Sequence, residues 1–181
     1  ERARINFDEP AAIDWPLAER VLRDCRAGQA TQIPRYDFAT HSRARAGEPW
    51  TPRAIVLVDG LWLLHRPELR RLFDLTLYLD TPVDLRRQRR LTRDLSERGY
   101  ASADIADRFA RHVAPMHALH VEPQKKWADL VLAQPFQEVQ VAELAERLWA
   151  LAENTAALPP WMRETFRTEL LSLLARHEFS H

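Results

Sequence analysis

The first strongly periodic stretch of the chain runs from about Asp14 to Gly28. Its apolar residues recur every three to four positions and share one helical face: Leu17, Val21, Leu22 and Cys25. Pro16 suits the first turn, where a backbone N–H has no helical partner, and glycine suits the position just beyond a helix end. The pattern therefore predicts a first helix that turns an apolar stripe toward the core.

Three short apolar runs predict strands. The run from Ala54 to Val58 is continuously apolar, which is typical of a strand buried on both faces of a parallel sheet. Leu75, Leu77 and Leu79 alternate with other residues in a second run, and residues 129–132 form a third. Because a helical pattern separates each pair of runs, the sequence predicts a doubly wound α/β domain.

The segment between the last two strands has the signals of a capped helix. Thr81 suits the cap position, Pro82 the first helical position and Asp84 the third, and Gly99 would end the helix. A further helix is predicted from about Ser102, and Pro115 should end or kink it because proline cannot donate the backbone hydrogen bond.

Beyond Gln134 the pattern is purely helical. One face of the next predicted helix collects these apolar residues: Val139, Val141, Leu144, Leu148 and Leu151. Pro159 and Pro160 should break this helix, and a last one is predicted over about 161–177.

The segment from Pro34 to Pro52 is rich in proline, glycine and polar residues, so we predict a loop or short hairpin there. Tyr36, Phe38 and His41 fall at nearly alternating positions and could line one side of an extended segment, where aromatic rings can stack on a planar base. Taken singly, a residue of this kind more often packs against other side chains than binds a ligand.

Bulk properties bound the function classes. At 181 residues the chain can form one domain with a small appendage, and its net charge of zero favours neither a nucleic acid nor a membrane as partner. The single Cys25 cannot form an internal disulfide, and no Cys/His cluster has zinc spacing. No apolar run approaches the roughly 20 residues of a membrane helix. We expect a cytoplasmic protein.

Several short motifs together resemble the uridine kinases of the phosphoribulokinase/uridine kinase family. The motifs cover about residues 1 to 135 and are, in chain order, Asn6-Phe7-Asp8-Glu9-Pro10, Ile33 to Arg43, Asp59-Gly60, Arg89 to Asp94, Ser96-Glu97-Arg98-Gly99, Pro115, and Lys125 to Asp129. The resemblance implies a kinase-like doubly wound parallel sheet. It also divides the chain into an acceptor-binding and lid region, residues 1–135, and a C-terminal helical extension, residues 136–181.

The resemblance implies an acceptor-nucleoside site in the first 41 residues. Asp8 would bind the ribose hydroxyls, since a carboxylate can accept two hydrogen bonds. Tyr36 and His41 would read a pyrimidine base, and Phe38 would wall the pocket. From position alone, Asp8 is more readily explained as a turn or cap residue, and the surrounding motif reverses that preference.

The resemblance also implies a phosphate-facing lid and a metal position. Arg90, Arg93 and Arg98 would clamp the acceptor and the phosphates as catalytic residues, because guanidinium binds phosphate oxygens in a bidentate fork. Without the resemblance, a solvated arginine face is the more ordinary interpretation. Asp59 would hold Mg²⁺, although family members usually have glutamate there, and a structural strand-end aspartate is nearly as good an interpretation.

No phosphate-binding loop of the G-x-x-x-x-G-K-[ST] type occurs in the sequence, because none of the four glycines precedes a lysine. Family members carry that loop, and the aspartate that acts as general base, upstream of the stretch matched here, so ATP and Mg²⁺ would depend on a segment missing from this chain. We expect ATP-dependent phosphorylation of the 5′-hydroxyl of uridine or cytidine, with poor transfer by this chain alone.

Two positions depart from the family pattern. Tyr100 stands where arginine is common, and Arg108 aligns with a glutamine that reads the base. Both changes remove expected pyrimidine contacts, so the acceptor could be another nucleoside or a phosphorylated sugar. The alternatives are a degenerate, non-catalytic module that binds a nucleoside or a protein partner, and a phosphoribulokinase-like sugar kinase. Helices or the lid region could also hold copies of the chain together.

Overall fold

The computed structural model describes residues 9–37, 42–44, 46–98, 101–155 and 168. The α-helices of this part are α1 (Trp15–Arg26), α2 (Pro67–Arg70), α3 (Val83–Arg98), α4 (Ser102–Arg108), α5 (Ala114–Met116) and α6 (Glu138–Thr155). The strands are β1 (Thr31–Ile33), β2 (Tyr36–Asp37), β3 (Ser42–Arg43), β4 (Glu48–Trp50), β5 (Leu77–Asp80) and β6 (Leu130–Ala133). The chain is thus a mixed α/β protein.

Helix α1 begins and ends where the sequence predicts. The Asp14 carboxylate accepts a hydrogen bond from the backbone N–H of Leu17 at 3.2 Å, and Pro16 occupies the first turn. Gly28 follows the helix with φ of 71°, a left-handed conformation that favours glycine because it has no Cβ.

The predicted loop or hairpin is a hairpin with two ladders. At its base β1 pairs antiparallel with β4, and farther out β2 pairs antiparallel with β3, with Tyr36 opposite Arg43. The base is tied to α1, because the Thr31 hydroxyl donates to the Asp24 carboxylate at 2.8 Å. The hairpin therefore projects from a fixed base.

Strands β5 and β6 pair in parallel, with Leu77 opposite Leu130, which confirms a parallel sheet. At their start the Asp129 carboxylate accepts from the Thr76 backbone N–H at 2.8 Å and from its hydroxyl at 2.7 Å. The side chains of β5 differ in burial. Tyr78 is buried there, whereas Leu79 is exposed.

The prediction of a buried strand from Ala54 to Val58 is wrong. This segment is irregular, and the side chain of Leu57 is 85% exposed. A strand buried on both faces needs hydrogen-bonded neighbours along its edges. Within the described residues the strand pairs are β1–β4, β2–β3 and β5–β6, so none of them gives this segment a ladder.

Helix α3 forms between the two parallel strands, and its start lies one residue later than predicted. The backbone N–H of Arg86 donates to the Pro82 carbonyl at 3.0 Å, so Pro82 rather than Thr81 takes the cap position. The predicted stop at Gly99 lies outside the described residues.

Pro115 does not end the helical path that begins at α4. Two π-helical segments, Phe109–Val113 and His117–Val121, lie on either side of α5, and a 3₁₀ segment, Glu122–Trp127, follows. The N–H of Ala114 donates to the carbonyl of Phe109, five residues back. These wide turns accommodate a proline that cannot donate a hydrogen bond to the preceding turn.

The core lies between the segment after Gly60, α2 and the helical path from α4. Its buried side chains are Trp62, Leu64, Leu69, Tyr78, Ile105 and Phe109. Helix α6 confirms the predicted helix after Gln134, but Val139 and Trp149 on it are exposed. The predicted break at Pro159 and the last helix fall outside the description. No helix among the described residues is long and apolar enough to span a membrane.

Candidate functional site

Of the four predicted acceptor-binding residues, the structure describes one, and it lies on the hairpin. Tyr36 lies on β2, and its side chain is partly exposed. Asp8, Phe38 and His41 lie outside the described residues. The antiparallel pairing of β2 with β3 nevertheless brings Tyr36 level with Arg43, at the outer end of the hairpin.

An ion pair connects the outer hairpin to the beginning of α1. Arg43 Nη1 donates to Asp14 Oδ2 at 2.8 Å. This hydrogen bond and that of the Leu17 backbone N–H keep the pKa of the Asp14 carboxyl below its usual value. Asp14 thus has two roles, as helix cap and as hairpin anchor, whereas the sequence indicated only that a helix begins near it.

Beside this ion pair, an open cleft of about 370 Å³ separates α1 from the hairpin. Its polar lining includes Asp14, Arg20, Gln32 and Arg43. Its volume is in the range of small-molecule sites. Sequence patterns gave no signal for it, because its residues come from three separate elements.

Two of the three predicted lid arginines are brought together on α3 by a buried carboxylate. Asp94 is only 2% exposed. Its Oδ1 accepts from Arg93 Nε at 2.9 Å, and its Oδ2 lies 3.3 Å from Arg90 Nε. The Arg90 side chain is 19% exposed and that of Arg93 is 44% exposed, so Arg93 is the more accessible of the two.

The third predicted arginine, Arg98, is the last residue of α3, and its side chain lies outside the description, as does Tyr100. Arg108 ends α4 and is exposed. Of the three predicted lid arginines, the structure therefore relates Arg90 to Arg93, through Asp94.

Asp59 lies in the irregular segment that follows Val58, and it is exposed. Its carboxylate makes no ion pair within the part of the chain that the structure describes. That part also contains no group of three His, Cys, Asp or Glu side chains that could hold a metal ion. Asp59 on its own could supply one oxygen ligand.

A second cluster of ionisable groups lies along the parallel strands, and sequence reasoning missed it. Lys125 donates to the carboxylate of Asp80 at the end of β5, and this hydrogen bond raises the pKa of Lys125. The Tyr78 hydroxyl donates to Glu122 Oε2 at 3.2 Å. Burial, followed by the charge of Glu122, raises the pKa of Tyr78 to about 12.

Comparison with known proteins places the chain in a family. The model of the phosphoribulokinase/uridine kinase family matches residues 1–142. A uridine kinase of Chloroflexus aggregans is 43% identical over 131 residues, which is 72% of this chain and 63% of that protein. Uridine kinases of Macrococcus caseolyticus and Staphylococcus aureus are each 37% identical over 134 residues, which is 74% of this chain and 65% of each relative.

The chain therefore belongs to the phosphoribulokinase/uridine kinase family. It matches a little under two thirds of the length of these curated relatives. The resemblance read from the sequence motifs is confirmed at the level of the family.

Proposed function

We propose that this chain is the acceptor-binding and lid part of a uridine kinase-like phosphotransferase. The observation that carries the proposal is the family match over residues 1–142, which includes every residue assigned to the site, from Asp8 to Arg98. The reaction would move the γ-phosphoryl group of ATP to the 5′-hydroxyl of uridine or cytidine. The relatives that bear the name uridine kinase support this choice.

In this proposal the outer hairpin and the segment before α1 hold the acceptor. Asp8 accepts hydrogen bonds from the ribose hydroxyls, Tyr36 and His41 contact the base, and Phe38 walls the pocket. Support comes from the hairpin, which holds Tyr36 on a short ladder and is anchored by the ion pair of Arg43 with Asp14. A backbone held in this way loses less conformational freedom on binding.

The lid arginines have the complementary role. Arg90, Arg93 and Arg98 would contact the 5′ end of the acceptor and the transferred phosphoryl group. Charge in phosphoryl transfer is spread over the phosphoryl oxygens, and fixed cations stabilise it. The partly exposed guanidinium of Arg93 on α3 supports this assignment.

The described residues do not form a magnesium or ATP site of their own. Asp59 offers a single carboxylate, and no phosphate-binding loop motif occurs in the sequence. ATP·Mg²⁺ would supply the transferable phosphoryl group, but its ligands would have to come from groups beyond those described. Phosphoryl transfer by this chain alone should therefore be poor.

The same proposal includes the type of sheet, the boundary of the helical extension, the cellular location and the partners. We place β5 and β6 in a doubly wound parallel sheet and set the boundary of the helical extension near residue 135. We also propose a cytoplasmic location, a nucleoside as the small-molecule partner and no nucleic-acid or membrane partner.

A non-catalytic association module is the second candidate, and the apolar surface next to Asp59 favours it. Leu57 and Leu61 are both exposed on the same irregular segment. Contiguous exposed apolar side chains often mark contact surfaces. In this case the chain would pair with another copy or another protein, and nucleoside binding would be secondary.

Titration calorimetry of the full chain with uridine, cytidine and ribulose 5-phosphate, without ATP, separates these candidates. Saturable binding of uridine or cytidine is expected, and Tyr36→Ala should weaken it about tenfold, since stacking on a base contributes roughly 1–3 kcal/mol. Trp149→Ala on α6 is the matched aromatic control and should leave it unchanged. Binding of ribulose 5-phosphate alone would favour a sugar kinase. No binding, together with self-association in sedimentation, would favour the association module.

A further inference from the structure

We propose that Asp94 is a positioning residue that orients Arg93, and through it the phosphate-facing edge of the α3 arginines. The inference rests on the function proposed above, in which Arg90 and Arg93 contact the acceptor and its phosphate. Asp94 itself would touch neither.

The burial of Asp94 needs an explanation. A carboxylate that is withdrawn from water costs several kcal/mol unless charged or hydrogen-bonding partners surround it. Asp94 is 2% exposed, and two guanidinium groups of its own helix, those of Arg90 and Arg93, lie against it. The arrangement is therefore a local device of α3, built from three residues within five positions.

Helix geometry alone explains the contact of Asp94 with Arg90 but not its contact with Arg93. Arg90 and Asp94 are one turn apart, so their contact is ordinary for a helix. Arg93 and Asp94 are adjacent, and adjacent side chains leave a helix about 100° apart. Arg93 must therefore fold back to reach Oδ1, and the carboxylate holds it in an orientation that the helix does not impose.

The contacts also determine which edge of Arg93 is presented outward. Nε and Nη2 of Arg93 both lie 2.9 Å from Oδ1 of Asp94, so the carboxylate takes the Nε–Nη2 edge. A guanidinium offers a second edge, Nη1–Nη2, that can bind phosphate oxygens in a bidentate way. With Asp94 on the first edge, the second edge is directed away from it, and the side chain is 44% exposed.

The charges of the cluster leave it attractive to anions. One carboxylate stands between two guanidinium groups, so the three side chains keep a net charge of +1. The order of the residues argues against helix stabilisation as the reason for Asp94, because an acid placed C-terminal to its basic partner is the less favourable orientation.

The test compares uridine with uridine 5′-monophosphate, since only the latter has the phosphate that Arg93 would contact. Calorimetric titration of the full chain gives both affinities. The ratio of the affinity for the monophosphate to that for uridine measures what the phosphate contributes to binding. We expect Asp94→Asn to lower this ratio about three- to tenfold, in keeping with the loss of one ordinary hydrogen bond to the phosphate. Asp94→Glu should restore part of it. Asp74→Asn, which removes the exposed ion pair with Arg26, is the matched control and should leave the ratio unchanged.

Two other roles of Asp94 predict different changes in this ratio for Asp94→Asn. If Asp94 acted only as an opposing charge, its neutralisation would tighten binding of the monophosphate. If it acted only in folding, both ligands would weaken equally and the ratio would stay constant. Either result overturns the proposal.

A second measurement does not depend on nucleoside binding. The Nε–H resonance of Arg93, identified by its loss in Arg93→Lys, should be protected from solvent exchange in the unmodified chain and in Asp94→Glu, and should lose protection in Asp94→Asn. If neither ligand binds, the proposed function fails, while this resonance still tests the orientation of Arg93. Equal protection in Asp94→Asn would overturn the role of Asp94.

Discussion

Gln124 fastens the segment that follows Asp59 to the helical path before β6, so its replacement by methionine should destabilise the fold. Its side-chain carbonyl accepts from the buried backbone N–H of Leu64 at 2.9 Å. Its amide group donates to the carbonyls of Leu61 at 2.9 Å and His120 at 2.7 Å. Methionine keeps a similar length and apolar bulk but can replace none of these three hydrogen bonds.

The magnitude follows from what each partner loses. The N–H of Leu64 is buried and would stay unpaired, at a cost of about 1–2 kcal/mol, and the carbonyl of His120 would lose about 1 kcal/mol. Leu61 is exposed, so water can satisfy its carbonyl at little cost. We therefore expect Gln124→Met to lower the free energy of unfolding by about 2–3 kcal/mol.

Urea denaturation followed by circular dichroism measures this loss. With a slope of about 2 kcal/mol per molar urea, the midpoint should fall by roughly 1–1.5 M at unchanged slope. Gln88→Met on the exposed face of α3 is the matched control, because glutamine and methionine have similar helix propensities. Unfolding free energies of the two variants within about 0.5 kcal/mol of each other would refute this role of Gln124.

Two further predictions concern pH. Because the folded state raises the pKa of Tyr78 to about 12, the stabilising effect of its neutral hydroxyl should be complete below about pH 10 and be lost as the pH rises toward 12; the late step in tyrosine absorbance should vanish in Tyr78→Phe. Burial, then the nearby His120, lowers the pKa of His65, so folding favours its neutral form. Stability should therefore fall as the pH drops below about 6.5. His65→Gln should reduce the difference in unfolding free energy between pH 7.5 and 5.5. An unchanged difference would contradict the role given to His65.

Elements with strong local signals were predicted well from the sequence. Helix α1 has a capping aspartate, a proline in its first turn and a terminal glycine, and all three act locally. The hairpin and the pair β5–β6 also have short-range signals in their turn residues and apolar runs. Local chemistry largely decides such elements.

The errors arise where the outcome depends on distant partners. The apolar run at Ala54 predicts a buried strand, but a strand also needs neighbours, and composition does not report them. Likewise, the leucine alternation of β5 does not indicate that Tyr78, between Leu77 and Leu79, is buried and hydrogen-bonded to Glu122. Pro115 was predicted to end or kink its helix, and the π-helical turns on either side of it let the helical path continue.

The site shows the same division. The sequence motifs indicated Arg90 and Arg93. They did not indicate that Asp94 joins them, because the burial of its carboxylate depends on tertiary structure. Similarly, Arg43 stood out only as part of a motif, and its partner Asp14 lies 29 positions away.

The parallel pairing of β5 with β6 closes a much longer loop of chain than the outer hairpin does. Thr76 and Asp129, which join the two strands, are 53 positions apart, so closing that loop costs about 3.5 kcal/mol of chain entropy. The outer hairpin joins Tyr36 to Arg43 across only seven positions, for about 1.7 kcal/mol. The difference corresponds to roughly twentyfold slower closure. The hairpin and the intervening helices should thus form early, and the contact between Thr76 and Asp129 completes the sheet late, once the crossover helices have shortened the distance that it must close.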